Sequence, residues 1–117
     1  MNMILSRREL QNILKQWLNG SLSAADVHAW AEERYLSESY EPEDQVTNII
    51  LRELDTIDMN LITKEDVPIF LEMVNDKALT EQEAEKKWNL YSQSIDLKKR
   101  MKELASDPLY APFCLKS

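Results

Sequence analysis

The sequence predicts an all-α protein, an antiparallel bundle of about five helices within a single domain of residues 1–117. Apolar residues recur at helical spacing in successive segments, and most of these segments begin with a helix-capping signal. One glycine and four prolines in 117 residues supply too few turns for an all-β fold. With 44% hydrophobic residues, the chain is long enough to bury a core. No segment reads as a strand.

The first two helices are each marked by a capping box. Ser6 with Glu9 opens the first helix, and Asn19-Gly20 ends it because glycine tolerates the left-handed conformation there. Ser23 with Asp26 opens the second helix, expected to end near Leu36. The apolar stripes of the two helices consist of Leu10, Ile13, Leu14, Trp17 and Leu18, and of Val27, Trp30, Ala31 and Tyr35.

Proline positions guide the next two helices. Pro42 suits the first turn of a third helix, in which residues 43–58 are expected to be helical. Thr63 opens a fourth helix, and Pro68 requires that helix to begin late, near Asp66, or to kink. The apolar stripe of the third helix is Val46, Ile49, Ile50, Leu54 and Ile57.

The last helix is expected to be the longest. Thr80 with Glu83 forms a capping box that opens it, and it runs to about Leu104, before Asp107-Pro108. Residues 106–117 form an apolar tail, LYAPFCL within it, that is expected to pack on the bundle. The single cysteine, Cys114, excludes an intramolecular disulfide and is expected to be a small buried hydrophobe.

Residues for catalysis or cofactor binding are scarce. His28 is the only histidine, which excludes a catalytic triad and a multi-histidine metal site, and one glycine excludes a glycine-rich phosphate loop. We therefore predict no enzyme activity, no cofactor and no metal site. The basic cluster Lys98-Lys99-Arg100 with Lys102 is expected near a helix C-terminus, where cations are favourable, rather than on a nucleic acid. We expect a cytosolic location, since no signal peptide or membrane-length apolar run stands out.

Negative charge is concentrated in the middle of the chain. Residues 32–85 hold sixteen acidic and four basic residues, whereas residues 1–31 and 86–117 carry net charges of +1 and +4. Phosphate repulsion argues against nucleic acid there, and a basic protein partner is favoured. An ordinary solvated surface is the simpler alternative. The predicted partner-binding residues are Glu32, Glu33, Glu38, Tyr40, Glu41, Glu43, Asp44, Asp55 and Asp58.

The stretch LKQWLNGSLSAADVHAWAEERYLSESY joins three features in order. A helix ends in a short turn at residues 17–20, a Leu-Ser-Ala step follows at 22–24, and a second helix runs into Glu-Glu-Arg-Tyr at 32–35. This order resembles the colicin D immunity protein and related small immunity proteins of bacterial toxins, and VTNIILRELDTIDM is similar to the next helix of that family. The resemblance covers about residues 10–75, and residues 80–117 have no counterpart.

The resemblance implies a helical protein whose negative surface occupies the positively charged cleft of a toxin nuclease that acts on RNA. Two alternatives stay open. One is a helical adaptor or regulatory protein that uses the same acidic surface for another basic partner, and the other is a small enzyme or ligand-binding bundle with a site between helices. Charge reversal at Glu41, Glu43 and Asp44 is expected to abolish binding in the first two cases only. The sequence leaves the oligomeric state open.

Overall fold

A computed structural model describes residues 3–35, 37 and 39–114. Within them six helices form: α1 Arg7–Leu18, α2 Ala24–Tyr35, α3 Gln45–Asp55, α4 Val67–Asn75, α5 Glu81–Gln93 and α6 Leu97–Leu104. Two short strands, β1 Met3–Leu5 and β2 Tyr40–Pro42, and two 3₁₀ turns, Lys64–Asp66 and Ala111–Phe113, complete the described elements. The all-α prediction is confirmed, while the antiparallel order of the helices stays a prediction. Leu36 and Glu38 lie outside the described residues.

Local capping fixes most helix ends where the sequence predicted them. Ser6 Oγ accepts a hydrogen bond from the Glu9 N–H at 3.1 Å, and Gly20 after α1 has a left-handed φ of 87°. Ser23 and Asp26 bond reciprocally at the start of α2 at 3.0 and 3.1 Å. These bonds satisfy backbone groups that have no partner inside the helix, which is why the signals could be read locally.

The predicted fifth helix is broken in two. Ser94 Oγ donates to the Tyr91 carbonyl at 2.6 Å, and Asp96 accepts from the Lys99 N–H at 3.1 Å to start α6. Serine and aspartate side chains compete with the helical backbone for hydrogen bonds, so this polar step ends one helix and caps the next. Lys98 and Lys99 consequently lie in the first turn of α6, and the prediction that they sit near a helix C-terminus is wrong.

The two strands pair in parallel, which the sequence did not predict. Ile4 lies opposite Glu41 and Leu5 opposite Pro42. Pro42 is thus a strand residue, not part of the first turn of α3, which Asp44 caps instead. Three-residue strands show no pattern of their own in a sequence, because their stability depends on the pairing.

The apolar stripes meet in one buried cluster, in which α1 packs against α4 and α2 against α3. Phe70 of α4 stacks on Trp88 of α5 with ring centroids 4.8 Å apart. Trp17 and Trp88 are buried, and Trp30 packs partly exposed against the same core. The three tryptophans therefore contribute to the core.

The C-terminal segment is tied to the residues that lead into α4. Tyr110 Oη donates to the Ile62 carbonyl at 2.5 Å, and the buried Arg100 of α6 donates to the Leu61 carbonyl at 3.0 Å. Tyr110 and Cys114 are buried, which confirms tail packing as far as Cys114. Among the described residues, none of the helices has the length and apolar character to cross a membrane.

Candidate functional site

Among the described residues, most of the predicted acidic residues fall into two groups at opposite ends of α3. Asp44 is the N-cap of this helix and Asp55 is its last residue. Eleven helical residues at a rise of 1.5 Å each separate these positions by about 16 Å. The two groups differ in the cations that lie near them. An arginine pairs with a carboxylate in the first group, whereas the second group has only a histidine beside it.

In the group at the start of α3, the Arg7 guanidinium neutralises Asp44, and the Arg7 backbone binds Glu43. Arg7 Nε lies 2.6 Å from Asp44 Oδ2, and the backbone N–H of Arg7 donates to Glu43 Oε1 at 3.0 Å. Asp44 Oδ1 also accepts from the N–H and the hydroxyl of the buried Thr47, both at 2.9 Å. Burial opposes ionisation of Asp44, but the bonds from Thr47 and Arg7 outweigh it and lower the carboxyl pKa.

Tyr40 and Glu33 meet a different arginine. The Arg34 guanidinium lies 5.1 Å from the Tyr40 ring centroid and 4.7 Å from that of Trp30. Arg34 also donates to the Trp30 carbonyl at 3.1 Å and lies 3.8 Å from the exposed Glu33 carboxylate. Tyr40 is therefore held by a cation–π contact that links β2 to α2.

The second group, Glu32, Asp55 and Asp58, surrounds His28, and we call these three carboxylates the acidic face. His28 Nε2 lies 2.9 Å from the Asp55 carbonyl oxygen and 3.4 Å from Asp58 Oδ1. Since a carbonyl oxygen can only accept, Nε2 must carry the hydrogen. His28 thereby binds the C-terminal end of α3 and sits between the side chains that carry the charge.

The carboxylates of the acidic face repel one another. Burial raises the pKa of Asp55, the neighbouring Glu32 and Asp58 raise it further, and His28 partly offsets them. Asp55 also stands at the negative end of the α3 dipole, where an anion is unfavourable. Within the part of the chain that the structure describes, no lysine or arginine forms an ion pair with any of the three.

Several other acidic residues of the middle section have such a partner. Asp66 pairs with Arg100 at 2.7 Å and Glu85 with Arg52 at 2.8 Å. The acidic face differs from these pairs because its three carboxylates lie close together and only His28 offsets part of their repulsion. Unfavourable charge that a fold does not need is typical of a binding surface.

The chemistry that this arrangement supports is the binding of cations. Neighbouring carboxylates accept charge-assisted hydrogen bonds from lysine and arginine side chains. A metal ion needs a tighter set of ligands, and among the described residues no group of three His, Cys, Asp or Glu side chains could hold one.

Sequence reasoning missed the roles of His28 and Arg34. His28 reaches residues 27 positions away, and Arg34 reaches Tyr40 across a loop that includes Glu38, which lies outside the described residues. The only signal in the sequence was a single histidine four residues before Glu32. This spacing does not show that His28 would contact the end of α3.

Replacing Asp55 with asparagine is expected to stabilise the protein at neutral pH. A raised folded-state pKa means that ionised Asp55 opposes folding. Its contribution to stability is full below the ordinary carboxyl pKa of 3.8 and is lost as the pH rises through the folded value. We expect a gain of about 0.3 kcal/mol at pH 7, typical of a relieved like-charge pair, and no gain below pH 3.8.

Urea unfolding of Asp55→Asn at pH 7 and pH 3 measures this effect. Glu72→Gln is the matched control, because Glu72 lies 3.5 Å from Lys87 and its removal relieves no repulsion. A loss of stability in Asp55→Asn at pH 7 would show that the ionised Asp55 carboxylate does not oppose folding.

Comparison with known proteins gives no relatives: no family model, no curated protein and no solved structure matches this chain.

Proposed function

We propose that the protein is a non-enzymatic immunity protein that binds and inhibits a basic nuclease toxin through the acidic face. The observation that carries the proposal is the set of three carboxylates, Glu32, Asp55 and Asp58, that lack a lysine or arginine partner within the described residues. The resemblance of residues 10–75 to toxin immunity proteins supports the choice of a nuclease as the partner.

Inhibition follows from the shared chemistry of carboxylates and phosphates. A nuclease that acts on RNA lines its cleft with lysine and arginine side chains, which bind phosphate oxygens. The acidic face would present carboxylate oxygens to the same side chains and so exclude the substrate. The net charge of −7 would also speed the encounter with a basic partner at low ionic strength.

The remaining predicted residues receive different roles in this proposal. Glu33 is exposed on α2 beside Glu32 and extends the acidic face toward β2. Tyr40 and Glu41 belong to β2, where Tyr40 is already packed under Arg34. Glu43 and Asp44 are assigned mainly to the fold, because Arg7 binds both of them.

The proposal predicts that neutralising the acidic face weakens binding without unfolding the protein. The triple variant Glu32→Gln, Asp55→Asn, Asp58→Asn keeps side-chain size and removes three negative charges. We expect affinity for the partner to fall about 100-fold at low salt, since each lost charged contact contributes on the order of 1 kcal/mol. The measurement is calorimetric titration, at two salt concentrations, against the C-terminal domain encoded by the neighbouring upstream gene.

A second triple variant controls for net charge. Glu72→Gln, Glu81→Gln, Glu103→Gln removes three exposed carboxylates elsewhere and is expected to keep nearly full affinity. Nuclease activity of the same domain, assayed with and without the protein, separates the immunity role from the adaptor role. Equal affinities of the two triple variants would remove the acidic face from the interface, and binding without inhibition would favour the adaptor.

A further inference from the structure

His28 is the only histidine of the chain, and it lies among the three carboxylates of the acidic face. Its side chain is 15% exposed, so the fold holds the ring while water can still reach it. Nε2 carries a hydrogen and donates it to the Asp55 carbonyl at 2.9 Å, and Asp58 Oδ1 lies 3.4 Å from the same nitrogen. In the neutral ring, Nδ1 is therefore the nitrogen that can take up a proton.

Protonation of Nδ1 changes the charge of His28 without removing a contact of the fold. Within residues 3–35, 37 and 39–114, Nδ1 has no hydrogen-bond partner, so no bond is broken when a proton arrives. Both ring nitrogens of a protonated histidine are donors, and the bond from Nε2 to the Asp55 carbonyl is kept. The two charge states of His28 therefore share one structure and differ in electrostatics.

The charged groups placed around His28 come from two helices and the turn that follows α3. Glu32 lies one helical turn further along α2, Asp55 ends α3, and Asp58 lies in the turn. Helix α1 also packs against α2, but within the described residues its only ion pair joins Arg7 to Asp44, in the other group. A positive charge on His28 is attracted by three carboxylates and by the negative end of the α3 dipole.

A protonated His28 competes with the lysine and arginine side chains of a basic partner. It forms an ion pair with Asp58, one of the carboxylates that the partner would bind. It also places a positive charge beside the position of the partner's cations, and like charges at this distance repel. The neutral ring leaves three negative charges unopposed on the acidic face, whereas the protonated ring leaves a net charge of −2.

We infer that His28 makes partner binding depend on pH, because the neutral ring permits binding and protonation of Nδ1 weakens it. The inference rests on the proposed function, since it describes the regulation of the same acidic face. Histidine changes its charge between about pH 5 and 8, so the effect falls in this range. By linkage, binding of the partner's cations expels the proton from Nδ1 to the solvent, and acidification loosens the complex.

Calorimetric titration against the same upstream-encoded domain, with the unaltered protein and with His28→Gln, tests the inference. Glutamine keeps an N–H for the Asp55 carbonyl but takes up no proton, and titrating groups of the partner contribute equally to both series. Relative to His28→Gln, we expect the unaltered protein to lose about tenfold in affinity between pH 7.5 and pH 5.5, and to bind within about twofold at pH 7.5. Buffers with different heats of ionisation should show that it releases up to about half a proton more on binding.

Nuclear magnetic resonance gives a second measurement that needs no variant, with the histidine of this chain alone isotopically labelled. The imidazole signals of His28 are expected to titrate at a lower pH in the complex than in the free protein. Equal pH dependence of the unaltered protein and His28→Gln, or an unchanged titration of His28 in the complex, would overturn the inference and leave the acidic face in place. If circular dichroism shows that His28→Gln does not fold, the imidazole titration decides. No binding by the unaltered protein at pH 7.5 would overturn the proposed function, and this inference with it.

Discussion

Replacing Asp66 with alanine is expected to lower the free energy of unfolding by about 3 to 5 kcal/mol, because it leaves a buried guanidinium without its counter-ion. Both carboxylate oxygens of Asp66 bind Arg100, at 2.7 and 2.8 Å, and Asp66 is fully buried while Arg100 is 8% exposed. The same carboxylate accepts from the Tyr91 hydroxyl at 2.5 Å and from the Thr63 N–H at 2.9 Å. Urea unfolding at pH 7 measures the change.

The size of this effect follows from the position of the pair. The Thr63 bond caps the turn that leads into α4, and Arg100 belongs to α6, so one carboxylate joins two distant segments. Arg100→Ala is expected to have a similar effect, since it leaves Asp66 buried with only its neutral donors. The two single changes should not be additive, because each already breaks the same interaction.

A control and a local readout distinguish this pair from surface charge. Glu65 lies 3.7 Å from Arg100 but is largely exposed, so Glu65→Gln is expected to change stability by less than about 1 kcal/mol. Hydrogen exchange of Asp66→Ala should accelerate most in residues 97–114, which Arg100 and Tyr110 attach to the preceding segment. A loss below about 1 kcal/mol for Asp66→Ala would contradict the structural role assigned to the pair.

Features set by neighbouring residues could be predicted from the sequence. The capping box of Thr80 with Glu83 and the left-handed Gly20 depend on residues within four positions, and both were predicted correctly. The break before Asp96 was also a local signal, but the apolar pattern through Trp88, Tyr91 and Ile95 continued across it and indicated one longer helix. Periodicity and capping disagreed there, and capping decided the structure.

Features set by distant residues could not be predicted. The number of acidic residues in the middle section could be read from the sequence, but their cationic partners could not. Asp44 contacts Arg7 across 37 positions, and Asp55 contacts His28 across 27. The sequence therefore indicated that acidic residues were concentrated without showing which of them the fold neutralises. Pairing of β1 with β2 was invisible for the same reason.

Replacing Asp44 with alanine is expected to destabilise the protein by about 2 to 4 kcal/mol, because this carboxylate is a helix cap and an ion-pair partner at once. Its loss removes the acceptor for the N–H and hydroxyl of Thr47, and Thr47 is fully buried. It also leaves Arg7 with only the carbonyls of Val74 and Asp76 as acceptors from its guanidinium within the described residues. Thermal and urea unfolding at pH 7 measure the effect.

The pH dependence gives this prediction a second, sharper test. The folded-state pKa of Asp44 is lowered, so its stabilising contribution is present above 3.8 and is lost as the pH falls through the lower folded value. The stability difference between Asp44→Ala and the unaltered protein should therefore shrink below pH 3.8, opposite in sign to the behaviour expected for Asp55. Full stability of Asp44→Ala at pH 7 would return Asp44 to the candidate binding residues.

If Asp44→Ala is destabilised as expected, binding experiments with variants that include Asp44 need care. A charge reversal of Glu41, Glu43 and Asp44 together would then weaken binding by destabilising the fold as well as by removing contacts with the partner. Variants of Glu32, Asp55 and Asp58 avoid this ambiguity, because the charge of Asp55 opposes folding and its removal should not destabilise the protein. In our proposal, binding of the partner explains why this unfavourable charge is present.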